Sequence, residues 1–442
     1  MVLLFQFVLS KISFFSVYRK FFATFDARIG PQRDFPGANL EKKMKRILYF
    51  TLAATIGLAS CSKADWGAGE PSGDYGYAAE KGDMGMGPNG GQGRPGGQAG
   101  VLTAGEWNDL DHWDFWSGLM TGQNYGDVSG YWGFYTARRV AVRVADAAGN
   151  RLPAVKVSLE RGQETIWSAL TDNVGEASCW IDPYREQALA GDLAIVVNGV
   201  RQAEPPKVTG WDVQTPEADV NFYVIDQGPA AEKRADLAFI VDATGSMGDE
   251  IAFLKKDLID ILDRVKGGQS DIELRTGTVF YRDKGDEYVT KFSDFTRDYR
   301  ETVKYISMQN ARGGGDLPEA VHTALEAGLR DLSWNMNARA RVAFLILDAP
   351  AHQDHQGVIE SLQASIRRYA ECGIKIIPVF CSSPSKECEF MCRFFATLTG
   401  GTYVFLTDDS GVGESHIEAS VGAFQVESLN DLLVRLIAKY IG

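Results

Sequence analysis

Histidine and cysteine are scarce in this chain, which has five histidines and six cysteines among 442 residues. It contains no H-E-x-x-H sequence and no C-x-x-C pair, so a zinc protease site and an ordinary zinc module are poor candidates. No lysine follows its glycine-rich stretches as in a phosphate-binding P-loop. The sequence GSMG at 245–248 is no nucleophile elbow, because Thr244 stands where the first glycine of G-x-S-x-G belongs. These absences predict a protein that binds and does no chemistry.

Positive charge is sparse outside the first residues. The chain carries a net charge of -13, although residues 1–46 hold nine lysines and arginines against three acids. Nucleic-acid binding needs a basic footprint, so the acidic remainder argues against that class of partner. An acidic body is compatible with divalent cations.

A long apolar run is also missing from the N-terminal region. From Met44, MKRILYFTLAATIGLASC has a basic start, a largely apolar stretch of 14 residues and small residues before Cys61. That length suits a signal peptide better than a membrane span, which predicts a signal peptide at 44–60 and a mis-annotated extension at 1–43. LASC resembles the lipobox of bacterial lipoproteins, which implies lipidation of Cys61, a membrane anchor and an outer-membrane location in the cell envelope. Lys63 and Asp65 resemble a surface-export signal.

Two segments of unusual composition follow the cysteine. Residues 67–100 contain thirteen glycines and three prolines, so we predict a flexible tether over 61–100. Over 101–136, Trp107, Leu110, Trp113, Trp116 and Met120 recur at three- to four-residue spacing, which predicts an amphipathic helix. Such a stripe could bind sugars if exposed; packing onto a neighbouring domain is the commoner role.

Short alternating strands fill residues 137–227. RRVAVRVADAAGNRLPAVKVSLERG has a turn at Gly149 and Asn150 between two alternating runs. The run G…LPAVKVSL…TDNVGEA resembles small transthyretin-like or carboxypeptidase-regulatory β-sandwiches, usually spacers or scaffolds.

Apolar strands alternate with helices from 234 to 442. The pattern predicts an α/β fold of the Rossmann-like kind, with a mostly parallel sheet covered by helices on both faces. The predicted strands are 235–242, 272–283, 288–295, 341–348, 373–380 and 402–407, and the predicted helices are 247–266, 298–309, 317–332, 356–371, 386–399 and 427–440.

Oxygen-bearing side chains gather where these strands end. Asp242 ends the first strand, Thr244 and Ser246 follow on the same side of an extended loop, and Asp348 ends a later strand. Ligands of such sheets bind beyond the carboxyl ends of the strands. Carboxylates and hydroxyls suit a hard cation, Mg²⁺ or else Mn²⁺ or Ca²⁺.

These elements resemble the von Willebrand factor A domain and its metal-ion-dependent adhesion site, D-x-S-x-S followed by a threonine and a later aspartate. Gly315 stands where that threonine belongs, beside Asp316 in RGGGDLPEAV. Asp316 either supplies the missing oxygen or caps the next helix together with Glu319. The resemblance implies a metal ligated by Asp242, Thr244, Ser246, Asp316 and Asp348, with an open position for a carboxylate of a partner protein.

Other polar residues near these loops receive lesser roles. Asp283 could orient a metal-bound water, and His352 and His355 are expected at the rim. Asp249 and Glu250 are expected to favour the helix N-terminus. The alternative to metal-dependent adhesion is a structural or glycan-binding envelope protein with a vestigial metal site.

Five cysteines follow Cys61, so at least one is unpaired: Cys179, Cys372, Cys381, Cys388 and Cys392. Buried thiols or one disulfide are the expectation, ahead of a zinc site.

Overall fold

The structure is a computed structural model that describes residues 102–442, apart from 123–125, 212–218, 316, 382–384 and 409–417. The predicted signal peptide, lipidated Cys61 and tether therefore lie outside the described residues. Within them, no helix combines the length and the apolar character needed to cross a membrane.

An eight-stranded sheet forms the centre of the described chain. Its strands are β1 (Thr103–Trp107), β10 (Glu232–Asp242), β11 (Glu273–Tyr281), β12 (Thr290–Thr296), β13 (Ala338–Leu347), β14 (Ile374–Phe380), β15 (Tyr403–Thr407) and β16 (Glu427–Ser428). Their order is β12-β11-β10-β13-β14-β15-β1-β16. Five adjacent strands are parallel, namely β11, β10, β13, β14 and β15, and β12, β1 and β16 pair antiparallel at the two sides.

Helices cover both faces of this sheet. One face contacts α3 (Gly248–Gly268), α4 (Tyr299–Ser307) and α8 (Leu429–Ile441), and the other contacts α5 (Val321–Arg330), α6 (Val358–Glu371) and α7 (Lys386–Thr399). Strand side chains alternate between the two cores: in β10, Ile240 belongs to one and Phe239 to the other. The predicted α/β fold with a mostly parallel, helix-covered sheet is confirmed.

The N-terminal segment differs from its prediction. Trp107 lies in strand β1, and the helix α1 (Trp113–Thr121) begins only after a turn in which the Asn108 side chain accepts a hydrogen bond from the Leu110 amide. β1 pairs with β15 with Glu106 opposite Val404, so residues far apart in sequence share one sheet. The tryptophan spacing predicted one long helix because it cannot report a strand pairing some 300 residues away. A second helix, α2 (Gly126–Trp132), follows.

The tryptophans of this segment are buried, as expected of a packing stripe. Trp116 lies against Phe390 and Phe394 of α7, with ring centroids 6.0 and 5.5 Å away, and Trp113 lies 6.1 Å from Trp180. Their faces are therefore occupied by protein.

Residues 138–224 form two four-stranded sheets. One contains β2 (Arg138–Ala145), β5 (Glu176–Trp180), β8 (Thr209–Gly210) and β9 (Asn221–Val224); the other contains β3 (Lys156–Arg161), β4 (Glu164–Leu170), β6 (Leu193–Val197) and β7 (Val200–Arg201). β4 packs against α6, where the Tyr184 hydroxyl donates to the Gln363 carbonyl at 2.7 Å. The resemblance of this segment to carboxypeptidase-regulatory modules stays a prediction.

The five cysteines of the described chain are buried free thiols. Burial raises the pKa of the Cys179 thiol to about 12, so it stays protonated and unreactive.

Candidate metal centre

The candidate site lies at the carboxyl edge of the central sheet. β10 lies between β11 and β13, so chain connections run in opposite directions from it and leave a crevice at its carboxyl end. β10 ends at Asp242, and Asp348 directly follows β13. The fold therefore brings the first and last elements of the sequence pattern to adjacent strand ends.

One of the two carboxylate oxygens of Asp242 fixes the conformation of the loop that follows β10. Its Oδ1 accepts hydrogen bonds from the Thr244 amide at 2.9 Å and the Thr244 hydroxyl at 2.8 Å. Its Oδ2 is buried and has no hydrogen bond of ordinary geometry from the described residues, although the Tyr281 phenol lies near enough to lower the pKa of the carboxyl somewhat. A fully buried carboxylate oxygen is thus left for another ligand.

Burial and crowding with other acids disfavour the charge on Asp242. Burial, followed by the negative charge of Asp348, raises its pKa to about 7 despite the bonds from Thr244. No lysine or arginine forms an ion pair with Asp242 within the described part of the chain.

Glu319 is a member of the site that the sequence did not single out as a ligand. Its backbone amide donates to the Pro350 carbonyl at 2.8 Å, and it forms a parallel bridge with Ala351, just beyond Asp348. Burial, then the charges of Asp242, Asp283, Asp286 and Asp348, raise its pKa to about 9. Its Oε2 is buried without a hydrogen-bond partner among the described residues. We call Asp242, Glu319 and Asp348 the edge carboxylates.

The capping-box interpretation of this loop is wrong for Glu319. α5 begins at Val321 with Ala320 at its N-cap, and among the described residues no side chain caps it. Pro318 and the bridge to Ala351 keep the backbone at 319 outside the helix, which sends the carboxylate toward the strand ends. Asp316, the predicted ligand or cap, lies outside the described residues.

The glycine-rich loop lies close to the loop that follows β10. Gly245 donates its amide to the Gly313 carbonyl at 3.1 Å, and Arg312 donates to the Ala243 carbonyl at 3.0 Å. Gly313 and Gly314 have φ of +86° and +74°, and a Cβ on Gly314 would lie 2.9 Å from Oε1 of Glu319. Glycine is needed here for its positive φ and for the close approach of Glu319 and Thr244.

Asp283 and Asp286 lie in the loop after β11, and each forms a hydrogen bond with a residue of another loop. Asp286 Oδ2 accepts from the Gly314 amide at 2.9 Å, which fixes the glycine-rich loop. Asp283 Oδ1 lies 2.7 Å from Nε2 of His352. Asp283 is therefore occupied with His352, and its expected role of orienting a metal-bound water stays a prediction.

The remaining predicted residues differ in their exposure. Ser246 lies exposed on the 3-10 turn Gly245–Met247, and Asp249 is exposed at the start of α3. Glu250, expected only to favour the helix N-terminus, is buried; burial, with the charges of Asp348 and Asp249, raises its pKa to about 7. Glu250 thus belongs to the acidic surroundings of the edge.

The residues present fit a hard divalent cation. The donors are carboxylates and hydroxyls, and both Asp242 and Glu319 keep a buried oxygen without a hydrogen bond in the described structure. A nearby positive ion would relieve the repulsion that raises their pKa values.

Comparison with known proteins agrees with this geometry. Residues 236–387 match the von Willebrand factor A domain. This A-domain match runs from β10 into α7 and contains the edge carboxylates.

Related proteins share the similarity over short stretches. The chain is 33% identical over 124 residues to the alpha-protein kinase vwkA of Dictyostelium discoideum, covering 28% of this chain and 19% of the kinase. It is 32% identical over 117 residues to a putative ariadne-like RING finger protein of Acanthamoeba polyphaga mimivirus, covering 26% of this chain and 11% of that protein. The chain thus spans less than a fifth of the length of either relative.

Two solved structures match parts of the chain at low sequence identity and low TM-score. The pilus adhesin SpaC of Lactobacillus rhamnosus GG, in its open conformation, superposes with a TM-score of 0.35 at 10% identity, covering 49% of this chain and 31% of SpaC. Proximal thread matrix protein 1 of the mussel byssus superposes with a TM-score of 0.28 at 13% identity, covering 38% and 40% of the two chains.

Proposed function

We propose that the A-domain binds a partner protein through a divalent cation at the carboxyl edge of its sheet. Asp242, Thr244, Ser246 and Asp348 would hold the ion, Mg²⁺ by preference or Mn²⁺ or Ca²⁺, with Glu319 beside them and Asp316 as a further candidate. A carboxylate of the partner would complete the coordination.

The observation that carries this proposal is the burial of acids that repel one another. Burial and mutual repulsion raise the pKa values of Asp242 and Glu319, to about 7 and about 9. A protein gains no stability from such an arrangement alone, because uncompensated buried charge is costly. A bound cation supplies the compensation.

The exposure of Ser246 supports binding to an external carboxylate. Asp242 and Thr244 are buried, whereas Ser246 lies at the surface on the next turn. A cation held between them would sit at the boundary with solvent, where Mg²⁺ retains exchangeable waters. An Asp or Glu of a partner could replace one of them.

Nothing in this set of residues favours catalysis. The hydroxyl of Thr244 donates to Asp242 and has no histidine hydrogen-bonded to it among the described residues, and the described cysteines are buried. We therefore propose a binding role, without enzymatic activity, for a lipoprotein attached through Cys61 to the bacterial cell envelope, in the outer membrane. Nucleic acid is not a proposed partner.

The second candidate, a structural or glycan-binding envelope protein, loses its main surface. Glycan binding by the tryptophan-rich segment requires exposed indole faces, and Trp107, Trp113 and Trp116 are at most 6% exposed. A structural role, or glycan binding by the β-strand region 137–227, with a vestigial metal site remains the alternative.

The test is Mn²⁺ binding to the full chain, because a fragment starting at 228 would lack strand β1 of the central sheet. We expect saturable binding by calorimetry, displaced by Mg²⁺, and an affinity at least about 100-fold lower in Asp242→Ala, since direct ligands matter more than their supporting residues. Asp249→Ala, which removes an exposed acid nearby, is the matched control.

Carboxylate binding is tested on the same samples. The water-proton relaxivity of the Mn²⁺-loaded protein should fall when a short glutamate-containing peptide is added, because the peptide displaces a metal-bound water. Unchanged Mn²⁺ affinity in Asp242→Ala would overturn the metal site, and unchanged relaxivity would overturn the carboxylate role.

A further inference from the structure

Three histidines converge beside the edge carboxylates, although the whole chain has five. His352 and His355 lie in the loop between β13 and α6, and His322 lies in the first turn of α5. The rings of His352 and His355 stack with centroids 4.1 Å apart and planes 17° apart. Asp354 lies between them in sequence.

The ligand atoms of one group in this loop are close enough to share an ion. A nitrogen of His352, a nitrogen of His355 and a carboxylate oxygen of Asp354 all lie within 4.8 Å of one another. Side chains at this separation can bind one metal ion with small rotations. We propose that His352, Asp354 and His355 form a second metal site, specific for a transition-metal ion such as Zn²⁺.

The orientation of His352 supports this assignment. Its side chain is 4% exposed, and its Nε2 lies 2.7 Å from Oδ1 of Asp283. A carboxylate on one ring nitrogen fixes the tautomer and the ring, and leaves the lone pair of Nδ1 for a metal. An exposed loop histidine without such a partner would turn freely.

The chemistry of the donors separates this site from the carboxylate centre. Two imidazoles and one carboxylate suit Zn²⁺ and its neighbours among the transition metals, whereas Mg²⁺ and Ca²⁺ prefer sites made of oxygen. Three protein ligands leave a position of the ion open. Asp354 and His355 are well exposed, so that position faces solvent.

His322 provides a further imidazole close by. It is 7% exposed, and its Nδ1 is buried without a hydrogen-bond partner in the described structure. Burial, followed by the positive charge of Lys284, lowers its pKa, and His352 and His355 contribute to the same shift. A neutral imidazole so near is compatible with a bound cation, whereas a charged one would repel it.

The experiment uses the full chain with Mg²⁺ in excess, so that the edge carboxylates are occupied by Mg²⁺. CoCl₂ is added while visible absorption is recorded, because Co²⁺ absorbs more strongly at a low-coordinate site with imidazole ligands than at an oxygen site with six ligands. ZnCl₂ is then used to displace the Co²⁺. We expect a band that saturates at one equivalent and disappears with Zn²⁺.

Three variants decide the assignment. His355→Ala, on an exposed side chain, should lower Zn²⁺ affinity at least about tenfold, whereas His112→Ala, an exposed histidine of α1's N-cap, should match the wild type. Asp242→Ala should keep Zn²⁺ binding while it loses Mn²⁺ binding. Equal Zn²⁺ affinity in His355→Ala, or its loss in Asp242→Ala, would overturn the second site.

Discussion

Two groups of buried acids in this protein are stabilised in different ways. Where the N-terminal segment meets α7, Asp109 accepts hydrogen bonds from Nε and Nη2 of Arg393 at 3.0 and 2.5 Å, and Glu389 lies 3.7 Å from the same guanidinium. We call these three residues the inner ion network. At the sheet edge, Asp242 accepts hydrogen bonds from the amide and hydroxyl of Thr244, and no lysine or arginine of the described residues forms an ion pair with Asp242 or Glu319.

The two groups differ in whether the protein favours or disfavours the charged state of its buried groups. In the inner ion network, burial alone would lower the pKa of Arg393, but Asp109 and Glu389 together raise it, so the charged form is favoured. At the edge, burial raises the pKa values of Asp242 and Glu319, so the charged form is disfavoured. Arg393 compensates the first group within the chain, and the proposed cation would compensate the second.

Breaking the inner ion network should have the largest effect on stability. Arg393→Ala leaves Asp109 buried without its cation and leaves Glu389 with Lys386 alone, so we expect a loss of about 3–5 kcal/mol in the free energy of unfolding. Urea denaturation measures it. Arg435→Ala, which removes an exposed arginine paired with Glu106 and Glu427, should cost about 1 kcal/mol or less. Similar losses in the two variants would show that burial of the network contributes little.

The edge carboxylates should make the free energy of unfolding fall as pH rises, whereas acids paired with a cation make it rise. Because the pKa of Asp242 is about 7 in the folded protein and 3.8 as its ordinary value, the folded state binds more protons than the unfolded state between those pH values. In EDTA, the free energy of unfolding should therefore fall, on the order of 3 kcal/mol, as pH rises from about 4 to 7. Glu319 extends the fall toward pH 9.

A substitution at Asp242 and the addition of Mg²⁺ distinguish the contribution of Asp242 to this pH dependence from that of other titrating groups. Asp242→Asn should flatten the slope between pH 4 and 7 in EDTA, whereas Asp249→Asn, on an exposed acid, should keep it. Saturating Mg²⁺ should reverse the slope in the wild type, since protons and the ion compete for the same oxygens. Thermal unfolding across pH gives the result, and a wild-type slope that is unaffected by Mg²⁺ would contradict it.

The sequence predicted most of the sheet and part of the site because both depend on local patterns. Apolar runs identified β10 and β13, and Asp242 and Asp348 were placed because the ends of parallel strands share an edge. Glu319 was missed because Pro318 and the spacing from Asp316 match a helix cap, and the bridge to Ala351 that overrides the cap is a non-local contact. A carboxylate four residues after a run of glycines was the available signal.

The N-terminal strand shows the same limit of local reasoning. Tryptophan spacing predicted a helix through Trp107, but pairing of β1 with β15 and burial of Asp109 against Arg393 outweigh the helical preference of a short segment. Both contacts join residues that are about 280 or more positions apart in the chain. The inner ion network could not be predicted for the same reason.

The smallest expected effect distinguishes two neighbouring glycines of the loop that faces the edge carboxylates. Gly314→Ala forces a side chain onto a backbone with φ of +74° and places a Cβ 2.9 Å from Glu319 Oε1 and 3.3 Å from the Thr244 Cβ. We expect a loss of about 1 kcal/mol in stability. Mn²⁺ affinity should fall roughly fivefold, which corresponds to about 1 kcal/mol of binding free energy, because Glu319 and Thr244 must move.

Gly315→Ala is the matched control for that substitution. A Cβ at 315 would meet nothing within 4 Å, and the backbone there is not in the left-handed region. Calorimetric Mn²⁺ titration of both variants gives the comparison. If only Gly314→Ala weakens binding, the position of Glu319 and Thr244 determines the affinity of the site; equal affinities would mean that the loop adapts and that Asp242 and Asp348 alone set it.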